Sequence, residues 1–128
     1  MLKILIVDDQ PVVRGALRRT LTRDGYEFLE AGSGEEGLAR LAEHPDADIV
    51  ISDMDMGSGM NGLEFLEQVR AQYPRVVRLM ATSHDEVGLG AVASGLAFSS
   101  ITKPWDFTQI PLDIARAVGQ GRKAKGGV

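Results

Sequence analysis

The chain has 128 residues, 44% of them hydrophobic and 25% charged, with a net charge of −4 and no cysteine. This length and composition predict one globular domain, while the lack of cysteine excludes disulfide scaffolds, zinc–cysteine sites and thiol catalysis. The acidic balance argues against direct nucleic-acid binding by the domain. Because no apolar run approaches a membrane span and the start lacks a signal-peptide pattern, we expect a cytoplasmic location and no membrane contact.

Five short stretches, most of them apolar throughout, predict β-strands. They cover residues 3–7, 26–31, 49–52, 76–81 and 99–102. Continuously apolar strands are typical of a parallel sheet that is covered on both faces, whereas the alternating second stretch is typical of an edge strand.

Helical patterns separate these strands. They cover residues 11–24, a stretch that opens at the Ser33/Glu36 capping-box pattern, a stretch after Asn61-Gly62, a weak stretch at 85–94, and the region from about 108 onward. Alternating strands and helices predict an α/β fold with a doubly wound five-stranded parallel sheet. We expect the domain to cover residues 1–120, followed at 121–128 by a flexible, basic and glycine-rich tail or the start of a linker.

Acidic and polar residues follow four of the predicted strands. They are Asp8 and Asp9 after the first strand, Asp53 and then Asp55 after the third, Thr82 after the fourth and Lys103 after the fifth. Ligands of doubly wound sheets bind beyond the carboxyl ends of the strands, so we expect these side chains to converge.

This set of residue types favours phosphoryl chemistry. Crowded carboxylates need a counter-ion, and Mg²⁺ prefers oxygen ligands. A carboxylate is also a nucleophile that can form an aspartyl phosphate. Lys103 offers a positive charge and Thr82 a hydroxyl donor to phosphoryl oxygens. The residues therefore predict a site that accepts a phosphoryl group.

The order Asp8-Asp9, Asp53, Thr82 and Lys103-Pro104 resembles the signature of response-regulator receiver domains, and the resemblance covers essentially the whole chain. It implies a flavodoxin-like (βα)5 fold with strand order 2-1-3-4-5 and Asp53 as the phosphoacceptor. It further implies a histidine kinase or histidine-phosphotransfer protein as donor, and an output domain or effector as the partner whose affinity changes.

The resemblance also implies roles at the site. Mg²⁺ would bind the side chains of Asp9, Asp53 and, partly through water, Asp8, and the backbone carbonyl of Asp55. Thr82 and Lys103 would contact the phosphoryl group and report its presence, and Pro104 is a candidate for a cis peptide bond. Such a domain assists its own phosphorylation and dephosphorylation, and we do not expect it to be an enzyme.

The chain departs from the receiver pattern in three places. Gly57 stands where proline is usual, and Gly57-Ser58-Gly59 makes the loop one residue longer, which predicts greater flexibility and altered kinetics. Ser100 occupies the usual position of an aromatic switch residue. Asp55 and His84 stand where the family tunes attack by water on the aspartyl phosphate.

Two alternatives remain open. Asp53-Met54-Asp55 resembles the nucleophile and acid–base pair of haloacid-dehalogenase-type phosphatases, although that pair usually follows the first strand. A receiver-like interaction module that works without phosphorylation is the other alternative, and the glycine-rich loop and Ser100 support it.

Overall fold

The computed structural model describes residues 2–22, 25–57, 59–82, 90–92, 94–97, 99–102 and 110–125, with the backbone alone at 99, 100, 102 and 120–125. Its elements are β1 (Lys3–Val7), α1 (Pro11–Leu21), β2 (Glu27–Ala31), α2 (Gly34–Glu43), β3 (Ile49–Asp53), α3 (Gly62–Gln72), β4 (Val77–Thr82), β5 (Ser99–Thr102) and α4 (Ile110–Lys125). Residues 90–92 are also helical and fall in the predicted stretch 85–94, of which residues 85–89 and 93 lie outside the described part.

The strands form one parallel sheet in the order β2-β1-β3-β4-β5. The last residue of β1, Val7, lies opposite Ala31 of β2 on one side and Ser52 of β3 on the other. The predicted flavodoxin-like α/β architecture is confirmed, and the alternating strand β2 lies at an edge. Strand β3 extends one residue beyond Ser52, so its last residue, Asp53, lies at the same edge of the sheet as Asp8, which follows β1.

Two apolar clusters cover the two faces of the sheet, because neighbouring residues in a strand point to opposite faces. In β1, Leu5 and Val7 contribute to one cluster, while Ile4 and Ile6 contribute to the other. The first cluster includes Leu41 of α2 with Phe65, Leu66 and Val69 of α3. The second includes Leu17 and Leu21 of α1 with Ile110, Ile114 and Ala117 of α4. The buried strands are therefore apolar on both sides, as the sequence predicts.

Helices α2 and α3 end in the same way, with the C-terminal cap residues His44 and Tyr73, each of which precedes a proline. Their backbone angles are nearly identical, with φ of −130° and −135° and ψ of 66° and 65°. Proline disfavours the helical conformation in the residue before it, which explains why both helices stop there.

Two helix boundaries differ from those predicted. Helix α1 ends at Leu21 rather than near residue 24, and the hydroxyl of its cap residue Thr22 donates to the Arg18 carbonyl at 2.6 Å. Helix α4 reaches Lys125, five residues into the stretch 121–128 for which we expect a flexible tail or the start of a linker. Positions 122–125 hold Arg, Lys and Ala, which are good helix formers, and the character of this stretch stays a prediction. None of the helices in the described part of the chain combines the length and apolar character that crossing a membrane requires.

Candidate functional site

Three aspartates meet at the carboxyl edge of the sheet. One carboxylate oxygen from each of Asp8, Asp9 and Asp53 lies within 4.8 Å of those of the other two. Asp8 is 2% exposed and Asp53 8%, whereas Asp9 is exposed to solvent. Carboxylates this close repel one another unless a cation neutralises them, and hard divalent cations prefer oxygen donors. The donor set therefore fits a metal ion of that class.

The start of α1 holds Asp8 in place. The carboxylate oxygen Oδ1 of Asp8 accepts from the backbone amide of Gln10 at 2.9 Å, which satisfies an amide at the helix N-terminus. Its carbonyl oxygen accepts from Nη1 of Arg14 at 2.5 Å, and its amide donates to the carbonyl of Ala31 at 3.1 Å. Both the backbone and the side chain of Asp8 thus have a defined position beside β3.

The start of α3 lies against the backbone of Asp53. The Gly62 amide donates to the Met54 carbonyl at 2.9 Å, and a Cβ built on Gly62 would lie 2.2 Å from the Asp53 carbonyl oxygen. A capping box fixes this helix start. The Glu64 amide donates to Asn61 Oδ1 at 2.9 Å, and the Asn61 amide donates to Glu64 Oε1 at 3.2 Å.

Thr82 ends strand β4 at the same edge and is 1% exposed. It follows Ala81, the partner of Asp53 in the β3–β4 pair, and it pairs with Thr102, the last residue of β5. Lys103 comes directly after Thr102 in the sequence. The predicted roles of Lys103, Pro104 and His84 stay predictions, because these residues lie outside the described part. Ser100 lies within β5, where only its backbone is described.

The loop between β3 and α3 lies beside the aspartates, and Asp55 is an exposed member of it. Gly57 and Gly59 have φ of +72° and +95°, conformations that favour glycine, which explains the glycines at these positions. A Cβ built on Gly57 would lie 3.9 Å from Oδ2 of Asp9. The Met60 amide at the far end donates to Oε1 of Glu35 in α2 at 3.1 Å. The loop thus extends from Asp9 to the start of α2.

Sequence reasoning did not assign a role at the site to Arg14, Glu35 or Gly62. The Asn61-Gly62 pair predicted a helix start, and a glycine there is the available signal for a close backbone approach. Arg14 and Glu35 bind backbone groups, the latter 25 residues away in the chain, so no pattern of side chains in the sequence points to them.

Known proteins are similar to this chain in sequence and in fold. Residues 4–115 match the family model of the response regulator receiver domain. The chain is 32% identical over 96% of its length to the hydrogenase transcriptional regulatory protein HoxA of Cupriavidus necator, and 35% identical over 92% to the response regulator protein FleR of Pseudomonas aeruginosa. These matches cover 24% and 25% of those proteins, so the chain spans about a quarter of their length.

A solved structure shows the same fold. The crystal structure of a CheY-like response regulator receiver domain protein from Methanospirillum hungatei superposes with a TM-score of 0.86 at 25% identity. The match covers 97% of this chain and 98% of that one. The family match over residues 4–115 includes the positions of Asp8, Asp9 and Asp53, the three aspartates of the cluster. The chain therefore belongs to the receiver domain family of two-component response regulators.

Proposed function

We propose that the chain accepts a phosphoryl group on Asp53 from a histidine kinase or histidine-phosphotransfer protein in the presence of Mg²⁺, and that this changes its affinity for an output domain or effector. The observation that carries the proposal is the convergence of Asp8, Asp9 and Asp53 at the end of β1 and β3. Family membership supports phosphoryl acceptance over the phosphatase alternative for the Asp53/Asp55 pair.

In the proposed transfer, a carboxylate oxygen of Asp53 forms a bond to phosphorus while the bond from phosphorus to the donor's imidazole nitrogen breaks. The imidazole takes up a proton as it leaves. The side chains of Asp8, Asp9 and Asp53 and the backbone carbonyl of Asp55 would hold Mg²⁺. When bound, the ion neutralises charge on the transferring group. Gly62 and the start of α3 keep the Asp53 backbone in place.

Thr82 and Lys103 are the proposed contacts of the phosphoryl group. Thr82 ends β4 beside the partner of Asp53, and its hydroxyl is a hydrogen-bond donor for a phosphoryl oxygen. Lys103 follows β5 and supplies a positive charge. Their engagement would move the region between β4 and α4, which is how we expect phosphorylation to reach a partner. Asp55 and His84 are proposed to tune hydrolysis of the aspartyl phosphate, which the domain assists without acting on another substrate.

Reaction with acetyl phosphate tests this function. We expect a single phosphoryl adduct that forms with Mg²⁺, is absent with EDTA, and is cleaved by hydroxylamine, because hydroxylamine attacks acyl phosphates and leaves phosphate esters of serine and threonine intact. A hydroxylamine-resistant adduct would contradict an aspartyl phosphate. A wild-type chain that forms no adduct at saturating Mg²⁺ would favour the interaction module that works without phosphorylation.

A further inference from the structure

The first turn of α2 contacts the end of the β3–α3 loop, defined here as residues 54–57 and 59–61. Oε1 of Glu35 accepts the Met60 amide at 3.1 Å. A Cβ built on Gly34 would lie 3.0 Å from Sδ of Met60, so the Met60 side chain packs on the helix backbone at that point. A Cβ built on Gly59 would lie 3.2 Å from Glu35 Oε1. These contacts attach the loop to a helix that supplies no residue to the aspartate cluster.

The other parts of the loop lie at the cluster itself. Gly57 approaches the carboxylate of Asp9, and the Met54 carbonyl accepts the Gly62 amide at 2.9 Å. Asp55, the proposed carbonyl ligand, lies between these points. Glycine loses more conformational freedom on ordering than any other residue. An attachment that limits the conformations of a loop with Gly57 and Gly59 therefore raises the ordered fraction of the loop more than it would in a loop without glycine.

Resting on the proposed function, we infer that Glu35 is a positioning residue that attaches the β3–α3 loop to α2 and so prepares the Asp55 carbonyl for the metal ion. Hydrogen bonds from its own amide and from that of Met60 lower the pKa of the Glu35 carboxyl below its usual value of 4.5, so the acceptor is charged at neutral pH. The carboxylate of the adjacent Glu36 accepts a hydrogen bond from the Gly32 amide at 3.0 Å and forms an ion pair with Arg40 at 3.8 Å. Neither contact involves the β3–α3 loop.

Release of the loop would lower the fraction of molecules that are ready to bind metal. The apparent dissociation constant equals the intrinsic constant divided by that fraction, so a fall in the fraction to about one fifth raises the constant about fivefold. The role of Glu35 as a hydrogen-bond acceptor can be separated from the effect of its charge. Glu35→Gln removes the charge but keeps an oxygen acceptor at the same distance from the backbone.

The test compares Glu35→Ala, Glu35→Gln and the matched control Glu36→Ala in the full chain. Hydrogen exchange of the Met60 amide without metal reports loop attachment, and Mg²⁺ titration by calorimetry reports affinity. We expect Glu35→Ala to speed Met60 exchange and to raise the Mg²⁺ dissociation constant about fivefold. Glu35→Gln should keep most of the protection and, like Glu36→Ala, should bind Mg²⁺ within about twofold of wild type.

Equal Mg²⁺ affinities for Glu35→Ala and Glu36→Ala would overturn the inference, as would a Glu35→Gln variant as weak as Glu35→Ala, since charge would then explain the loss. Unchanged Met60 exchange in Glu35→Ala would also overturn it. The wild-type titration separates this result from failure of the proposed function. A wild type that binds no Mg²⁺ contradicts both, whereas wild-type binding with equal variants contradicts the inference alone.

Discussion

Gly62 lies so close to Asp53 that a Cβ on Gly62 would come within 2.2 Å of the Asp53 carbonyl oxygen and 2.8 Å of the Met54 Cα. Both neighbours are backbone atoms, so no side-chain rotation makes room. The first residue of α3 therefore sets how closely this helix approaches the proposed phosphoacceptor, and only glycine permits the observed distance.

We predict that Gly62→Ala destabilises the fold by about 2 kcal/mol or more, because overpacking forces the backbone to shift. Urea denaturation measures the loss. The control is Gly119→Ala in α4, where a Cβ would meet no atom within 4 Å. That change should be neutral or stabilise by up to about 1 kcal/mol, because alanine restricts the unfolded chain. Equal effects of the two substitutions would contradict the packing argument.

The ion pairs that Glu30 forms with Arg14 and Arg18 predict that the stability of the fold depends on pH. Burial raises the pKa of its carboxyl, but hydrogen bonds from Arg18 and Arg14, at 2.8 and 3.0 Å, outweigh burial and lower it from 4.5. Because the pKa of Glu30 is lower in the folded than in the unfolded state, the ionised carboxylate stabilises the fold at pH values above the unfolded-state pKa. This contribution is lost as the pH falls through the folded-state pKa.

Glu30→Gln should therefore cost about 1 kcal/mol at neutral pH, a value that allows for solvent screening of the partly exposed pairs. The cost should shrink in denaturation experiments well below pH 4.5, the ordinary value for glutamate. The control Glu27→Gln alters the same strand at an exposed side chain and should change stability by less than about 0.5 kcal/mol at both pH values. A pH-independent loss for Glu30→Gln would show that its charge is not the cause.

Asp9 is the most exposed member of the aspartate cluster and the one that we expect to bind Mg²⁺ most directly. Asp9→Asn should weaken Mg²⁺ binding by more than tenfold, which corresponds to about 1.4 kcal/mol. Asp55→Asn removes a nearby charge but keeps the backbone carbonyl, so calorimetry should show a change below about threefold, typical of a screened charge. Unchanged affinity in Asp9→Asn would remove Asp9 from the metal site.

Substitution of Thr82 separates Mg²⁺ binding from the conformational change that we expect on phosphorylation. Thr82→Ala should leave Mg²⁺ affinity unchanged, because the hydroxyl is proposed to contact the phosphoryl group and not the metal ion. Loss of a charge-assisted hydrogen bond of about 1.5–3 kcal/mol should shift the phosphorylated domain tenfold or more toward the unphosphorylated conformation. Amide NMR shifts on phosphorylation should then shrink at residues 90–97, and Thr82→Ser should restore them. Full shifts in Thr82→Ala would exclude this role.

Much of the fold could be predicted because burial leaves a direct pattern in the sequence. Strands β1, β3 and β4 are covered on both faces and are nearly continuously apolar, whereas β2 at the edge alternates. The aspartates could be predicted to meet because they lie at or just after the carboxyl ends of two strands, and parallel strands end at one edge. The end of α1 could not be predicted in this way, because it is accompanied by a hydrogen bond from the Thr22 hydroxyl to the Arg18 carbonyl and not by a change in the apolar pattern.

Contacts between side chains and distant backbone groups left no such pattern. Arg78 interrupts the apolar strand β4, is 4% exposed, and donates through Nε to the Leu96 carbonyl at 2.7 Å. Backbone carbonyls are the same at every residue, so the sequence cannot show which one a buried arginine reaches. The Glu35–Met60 bond and the approach of Gly62 to Asp53 are of the same kind.

The central claim is that Asp53 is the residue that becomes phosphorylated. Intact-mass spectrometry after reaction with acetyl phosphate and Mg²⁺, on wild type and on Asp53→Asn, tests it most directly. We expect one phosphoryl adduct on wild type and none on Asp53→Asn, with both proteins folded by circular dichroism. An adduct that forms on Asp53→Asn at the wild-type rate would place the acceptor elsewhere and contradict the proposed mechanism.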